Sequence, residues 1–476
     1  MKSRTTLFNT IIYTSASVIA KLGGFVVQII LGWVLIKEEY GLFAIALSIS
    51  AVFSCLRNGG TDQVIIQRGD EYESLAPQIA SLSIVFNVVI CMLILGFSEE
   101  ISNFYDEPEL APLLFVLAIG YLFATPGPIL IAKLAIQNKF KEIAFINLIT
   151  VLAKHGLTIA LAIIGFGVFS LLVPLAIQPV IGAVIAFQFV KSWPGFKVPG
   201  SFELKKLLSS SIWVVLSNLG FQLSNNIQYF ILARYLDSAT IGSYFFAVQI
   251  INSPISLINN TVKGVVFPVL SNINEDKKRY KASVIKSIMI SFSIGCVIGL
   301  VGYVIFPKIV GFVWKGKWDV SIVYVKLLCF LVPITILMNT IYEILASAGL
   351  WKDRFILLIL AVLVDVLAIF FTINEYILIT VVGNIVLWRL FFTFISCFYL
   401  LRRVCGKFQI VDIVLMFVSF YLIALFVLFS ESWEGFENNR DELLGLFVLG
   451  ILYYILIFNR CVPVHKIILN YFNRFL

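Results

Sequence analysis

The chain has 476 residues, 60% of them hydrophobic and only 13% charged, with a mean hydropathy of +0.99. A soluble domain carries about 25% charged residues, so this composition excludes a soluble enzyme and makes a nucleic-acid footprint the wrong reading of the +8 net charge. Seven cysteines with no C-x-x-C spacing, and two histidines, give no basis for a disulfide framework, a metal site or a cofactor, and none is expected.

Fourteen apolar segments follow one another, at 7–36, 40–66, 77–97, 110–136, 142–164, 168–190, 207–235, 241–271, 283–306, 319–348, 354–372, 376–402, 410–430 and 443–459. Each is long enough to cross a ~30 Å hydrocarbon core. A backbone in lipid must satisfy its own polar groups, so each segment is a helix. The first could pass for a signal peptide, MKSRTTLFNTIIYTSASVIA, but its apolar run continues to Ile36 and reads as an uncleaved span. Pro126 and Pro128, Pro174 and Pro179, Pro254 and Pro268, and Pro333 interrupt spans 4, 6, 8 and 10. Such breaks either expose backbone to a cavity or are absorbed by neighbouring helices. The longest connection, 191–206, leaves no room for a soluble catalytic or nucleotide-binding domain.

With a cytoplasmic N-terminus, the inner ends and loops hold 22 Lys/Arg and the outer ones six. This asymmetry places both termini in the cytoplasm. The chain also repeats itself. LGWVLIKEEYGLFAIALSI (31–49) aligns with LARYLDSATIGSYFFAVQI (232–250), pairing Gly41 with Gly242. Farther on, LAIQNKFKEIAF (134–145) matches LASAGLWKDRFI (345–356), pairing Phe140 with Trp351. The expected architecture is an all-α polytopic membrane protein of about fourteen transmembrane helices. Two pseudo-symmetric six-helix lobes, 1–200 and 201–405, share one orientation, and 406–476 adds helices 13 and 14.

Charge inside a span costs about 2.5–3.5 kcal/mol even on insertion scales, so it normally faces a wet or protein-lined interior. Lys21, Lys154, Asp365 and Arg389 fall near mid-span; Arg57, Asp62, Lys133, Lys263 and Glu343 lie towards the inner side, and Lys326 towards the outer. Lys133, Lys263 and Lys326 are near enough to an interface to snorkel. Seven intramembrane cations face three acids, so they cannot all neutralise one another, and the surplus calls for an anionic ligand such as a phosphate or diphosphate. Asp62, Glu343 and Asp365 are candidates for proton or sodium coupling; for Asp365 a structural bridge to Arg389 or Lys154 is the competing reading. Gln28, Gln222, Asn225 and Asn226 either offer hydrogen bonds to sugar hydroxyls or tie helices together. Trp314 and Trp318, beside Lys315 and Lys317, read as an interfacial belt.

The stretches GWVLIKEEYGLFAIALSI, ILARYLDSATIGSYFFAVQI and IAKLAIQNKFKEIAFINLI resemble the oligosaccharide-flippase (polysaccharide transporter) branch of the multidrug/oligosaccharidyl-lipid/polysaccharide exporter superfamily. The resemblance implies a MATE-like pair of lobes that rock about a central cavity in a bacterial inner membrane. It implies as cargo a polyprenyl-diphosphate-linked oligosaccharide for surface polysaccharide or lipopolysaccharide biosynthesis, with polymerase or ligase machinery as partner. It also implies cavity cations on helices 1, 2, 7 and 8, where Lys21, Arg57 and Lys263 stand. A multidrug/cation exporter of the same fold would want an acid-lined cavity, against the cation excess. A membrane polysaccharide polymerase would need a larger loop with catalytic carboxylates.

Overall fold

The computed structural model describes residues 19–57, 71–137, 139–198, 200–273, 276–372 and 378–405. Helices 13 and 14, Asp62, and the side chains of Arg57 and Lys263 lie outside what it describes. The described chain is helical, without a strand. In order the helices are α1 (Ile19–Val34), α2 (Lys37–Arg57), α3 (Tyr72–Gly96), α4 (Ser98–Tyr105) and α5 (Leu110–Leu122). Next come α6 (Pro126–Ile136), α7 (Phe140–Ile164), α8 (Phe169–Val190), α9 (Ser201–Leu232) and α10 (Ser238–Asn272). Last are α11 (Lys277–Trp314), α12 (Asp319–Cys329), α13 (Val332–Ser347), α14 (Trp351–Phe370) and α15 (Leu378–Leu400), closed by a π-turn at Leu401–Cys405.

Five described helices are long and apolar enough to cross a membrane, and seven spans result if two bent pairs each count as one. The bent pairs are α5 with α6, at 42°, and α12 with α13, at 53°. Proline explains both: Pro126 and Pro333 stand in the first turn of α6 and α13, where a missing N–H costs nothing but no helix can continue through from before. The chain is thus a multi-pass, all-helical membrane protein.

Helix starts follow the repeat. α2 begins at Lys37 and α10 at Ser238; α7 begins at Phe140 and α14 at Trp351. These are the residues paired by the two sequence alignments.

The helices form two compact units. One comprises Met1–Gln249, Phe312–Ser321 and Trp351–Val381, the other Ile250–Gly311, Ile322–Leu350 and Val382–Leu476. In the first, α9 packs along α14 and α2, and α8 packs along α7. In the second, α11 seats its Gly295 and Gly299 against Pro333 and Cys329, at the α12/α13 break. Thr340 bridges back to Ser291 at 2.8 Å. Small residues let backbones approach where lipid supplies no hydrophobic drive.

One feature departs from expectation. Trp314 and Trp318 are not an interfacial belt: they are 1% and 0% exposed. The Gly32 and Trp33 carbonyls at the end of α1 have no helical partner of their own, and the 314–318 turn supplies donors to them and to Ile29 one turn earlier. Trp314 Nε1 donates to the Ile29 carbonyl at 3.1 Å, Trp318 Nε1 to Gly32 at 2.9 Å, and Lys317 Nζ to Trp33 at 2.8 Å. Trp318 also stacks on Phe246, with ring centroids 4.0 Å apart, and meets Tyr40 edge-on.

Candidate functional site

Within the first unit, the α5/α6 break opens a cavity of about 410 Å³ midway along α2, α5, α6, α7, α8 and α9. Local chemistry holds it open. Asn87 on α3 donates to the Thr125 hydroxyl at 2.8 Å and so anchors the non-helical turn. Tyr121, at the end of α5, donates to the Ser50 carbonyl on α2 at 2.6 Å. Gly120 presses α5 onto Ala176 of α8, and Gly127 and Gly182 keep the next turns close to Ala183 and Thr150. Pro179 has no N–H to offer the Leu175 carbonyl, and both residues line the cavity.

The described lining is largely apolar, with a set of uncharged polar groups. Ser50, Tyr121, Asn147, Thr150, Gln178 and Gln222 contribute the polar groups, and among the described residues no Asp, Glu, Lys, Arg or His takes part. Thr150 is 7% exposed, and its hydroxyl is buried with no hydrogen-bond partner among the described residues. A helical Thr usually bonds a carbonyl one turn back, so this hydroxyl is a donor and acceptor left open.

Of the described residues expected to bind cargo, Gln222 alone lines this cavity. Asn225 and Asn226 turn their amides onto the Phe221 and Gln222 carbonyls of their own helix, each at 2.8 Å. Gln28 is on α1, with its amide nitrogen buried and unpartnered among the described residues. Lys21 and Lys154 are half-buried, and neither forms an ion pair with a described carboxylate. The Lys154 bridge offered for Asp365 is therefore not made. Asp365 is fully buried, Glu343 and Arg389 are half-buried, and all three have interaction partners. Lys133 reaches the inner end, 2.9 Å from Glu73 and 3.1 Å from Ser192.

Sequence reading missed His155, which lies beside Lys154. It packs against Gly23 and Gly24 of α1. The two helices that carry Lys21 and Lys154 therefore meet. Among the described residues no group of His, Cys, Asp and Glu is arranged to hold a metal ion.

Comparison with known proteins gives this arrangement a family. A model described as "Polysaccharide biosynthesis protein" matches residues 30–323, more than half the chain. The chain is 23% identical over 325 residues to the lipopolysaccharide biosynthesis protein WzxC of Escherichia coli (strain K12), covering 64% of this chain and 62% of that one. It is 24% identical over 285 residues to the succinoglycan biosynthesis transport protein ExoT of Rhizobium meliloti (strain 1021), covering 58% and 56%. The match thus spans about three-fifths of the length of these relatives. In fold, the chain superposes on lipid II flippase MurJ in an inward closed conformation with a TM-score of 0.73 at 16% identity, over 96% of this chain and 100% of that one. An inward-facing multidrug resistance MATE family transporter of the MOP superfamily gives 0.62 at 16% identity, over 81% and 95%.

Proposed function

Because the chain belongs to the polysaccharide biosynthesis protein family, we propose that it flips a polyprenyl-diphosphate-linked oligosaccharide from the cytoplasmic to the outer face of the plasma membrane. The movement is alternating access between lobes 1–200 and 201–405, with 406–476 appended and both termini cytoplasmic. The observation that carries this reading is a cavity at a broken span whose described lining offers uncharged polar groups, in a unit whose Lys21 and Lys154 lack carboxylate partners among the described residues. Broken helices at the midplane are where secondary transporters hold their substrates.

Lys21, Arg57, Lys154, Lys263 and Arg389 are assigned to the diphosphate as the cations of these spans; Lys21 and Lys154 have no carboxylate partner among the described residues, and such a cation favours an anion. Gln28, Gln222, Asn225 and Asn226 are assigned to the glycan. Asp62, Glu343 and Asp365 are assigned to coupling by a proton or sodium ion. Similarity to a succinoglycan transport protein and to a lipid II flippase supports a lipid-linked cargo, handed on to polymerase or ligase machinery. The test is a deletion strain. It should lose its surface polysaccharide and accumulate the lipid-linked precursor on the inner leaflet; normal polysaccharide with no accumulated precursor would refute the flippase reading.

A further inference from the structure

We propose that the α5/α6 cavity is a subsite for a neutral sugar ring, separate from the cations that meet the diphosphate. This rests on the flippase reading and names where one part of its cargo sits. The argument is one of chemical match. A coupling proton needs a titratable group, and a diphosphate needs a cation; the described lining residues supply neither. What they supply is hydroxyls and amides: Ser50, Tyr121, Asn147, Thr150, Gln178 and Gln222. Hydroxyls and carboxamides both donate and accept, as sugar hydroxyls do. Among the described residues the Thr150 hydroxyl is buried with no hydrogen-bond partner. A partly buried polar group without a partner is costly unless something fills the space. Water can do so, and so can a sugar that replaces it. At about 410 Å³ the cavity falls within the roughly 300–1,000 Å³ of small-molecule sites.

Specificity follows from the same lining. A uronic acid would bring a carboxylate to a site with no cation among its described residues, and a basic sugar would bring a charge to one with no described acid. The subsite therefore selects a neutral hexose or N-acetylhexosamine.

The test uses the full-length chain in detergent, with Leu47→Cys as a reporter on the cavity wall and the wild-type chain as the background for native cysteines. Maleimide labelling is followed with a panel of neutral hexoses and N-acetylhexosamines, with glucuronic acid, and with inorganic pyrophosphate. At least one neutral sugar should slow labelling several-fold, while glucuronic acid and pyrophosphate leave it unchanged. Thr150→Val and Gln178→Leu should remove the protection, and Thr150→Ser, which keeps the hydroxyl, should retain it. Protection by pyrophosphate alone, or by no neutral sugar, overturns the subsite. Protection that persists in both Thr150→Val and Gln178→Leu overturns it as well. The outcome is independent of the deletion strain: precursor accumulation without protection keeps the flippase and removes the subsite, and protection without accumulation does the reverse.

Discussion

Gly41 and Gly242 meet where α2 crosses α10, each with its open side filled by the other helix. The Ser238 carbonyl occupies the place of a side chain on Gly41, and the Lys37 carbonyl occupies that place on Gly242. Lys37 and Ser238 are the first residues of the two helices and stand one turn ahead of their own glycines. The contact is therefore reciprocal, which is what a local two-fold axis between two copies of one motif produces. Backbone carbonyls cannot swing aside, so neither position has room for a Cβ.

Gly41→Val and Gly242→Val should each destabilise the chain by about 1–3 kcal/mol, the range for overpacking a tight contact. The double variant should lose less than the sum, because one parted crossing already makes room for the second side chain. Thermal unfolding of the singles and the double in detergent measures this. Additive losses would show that the glycines do not share one crossing.

At the same end of these helices, Trp318→Ala should cost about 3–5 kcal/mol as a fully buried indole is removed. Trp318→Phe keeps a ring against Phe246 but leaves the Gly32 carbonyl without its donor, at about 1–3 kcal/mol. The ranking Ala worse than Phe worse than wild type is read from thermal melts. Equal melts for all three would place Trp318 against lipid, as a belt residue.

That indole also marks the limit of sequence reading. A tryptophan flanked by lysines at the end of a span looks the same whether it faces lipid or caps a neighbouring helix, so Trp314 and Trp318 read as a belt. The repeat was legible because glycine is required where two backbones touch, and both copies kept it. Helix existence was legible from apolarity alone. The cavity was half legible: Pro126, Pro128 and Pro179 signalled broken helices, and Gln222 stood out on a polar face. Ser50, Asn147, Thr150 and Gln178 did not, since each is ordinary on its own helix and only packing assembles them.

Glu107 gives a pH signature. It lies in the turn before α5 and hydrogen-bonds Ser238, at the first turn of α10. Burial, with Glu109 and Asp237 nearby, raises its carboxyl above the ordinary 4.5, and the Ser238 bond offsets only part of this. A raised carboxyl means the folded chain holds its proton longer than the unfolded chain does. The stability it contributes is complete below pH 4.5 and is lost as pH rises through the folded value. Glu107→Gln, which cannot titrate, should flatten this fall in melts taken from pH 4 to 7. A fall that is unchanged in the variant would assign it to another group.

Orientation is checked by fusion. Reporters after Gly200 and Asn274 should read cytoplasmic, and those after Glu107 and Glu437 external, as the 22-to-6 cation asymmetry requires. An external signal at Gly200 would reverse the whole assignment.

The sharpest expectation concerns charge at Lys21 and Arg57. Lys21 sits half-buried on α1 with no carboxylate partner among the described residues, and Arg57 ends the described part of α2. Lys21 forms no salt bridge with a described acid, and on the flippase reading its charge is assigned to the cargo diphosphate. Lys21→Ala and Arg57→Ala should each lower export by roughly 10–100-fold, the worth of a charge-assisted hydrogen bond of about 1.5–3 kcal/mol, with membrane abundance unchanged. Lys21→Arg should keep part of the activity, because the charge survives although guanidinium geometry differs from ammonium. Lys21→Glu should be worse than Ala, since it repels the diphosphate. If either residue instead braces the fold through Asp62, Glu343 or Asp365, its Ala variant will be poorly inserted, and neutralising that acid as well will restore it. Wild-type export by a well-folded double Ala variant would remove both residues from cargo binding.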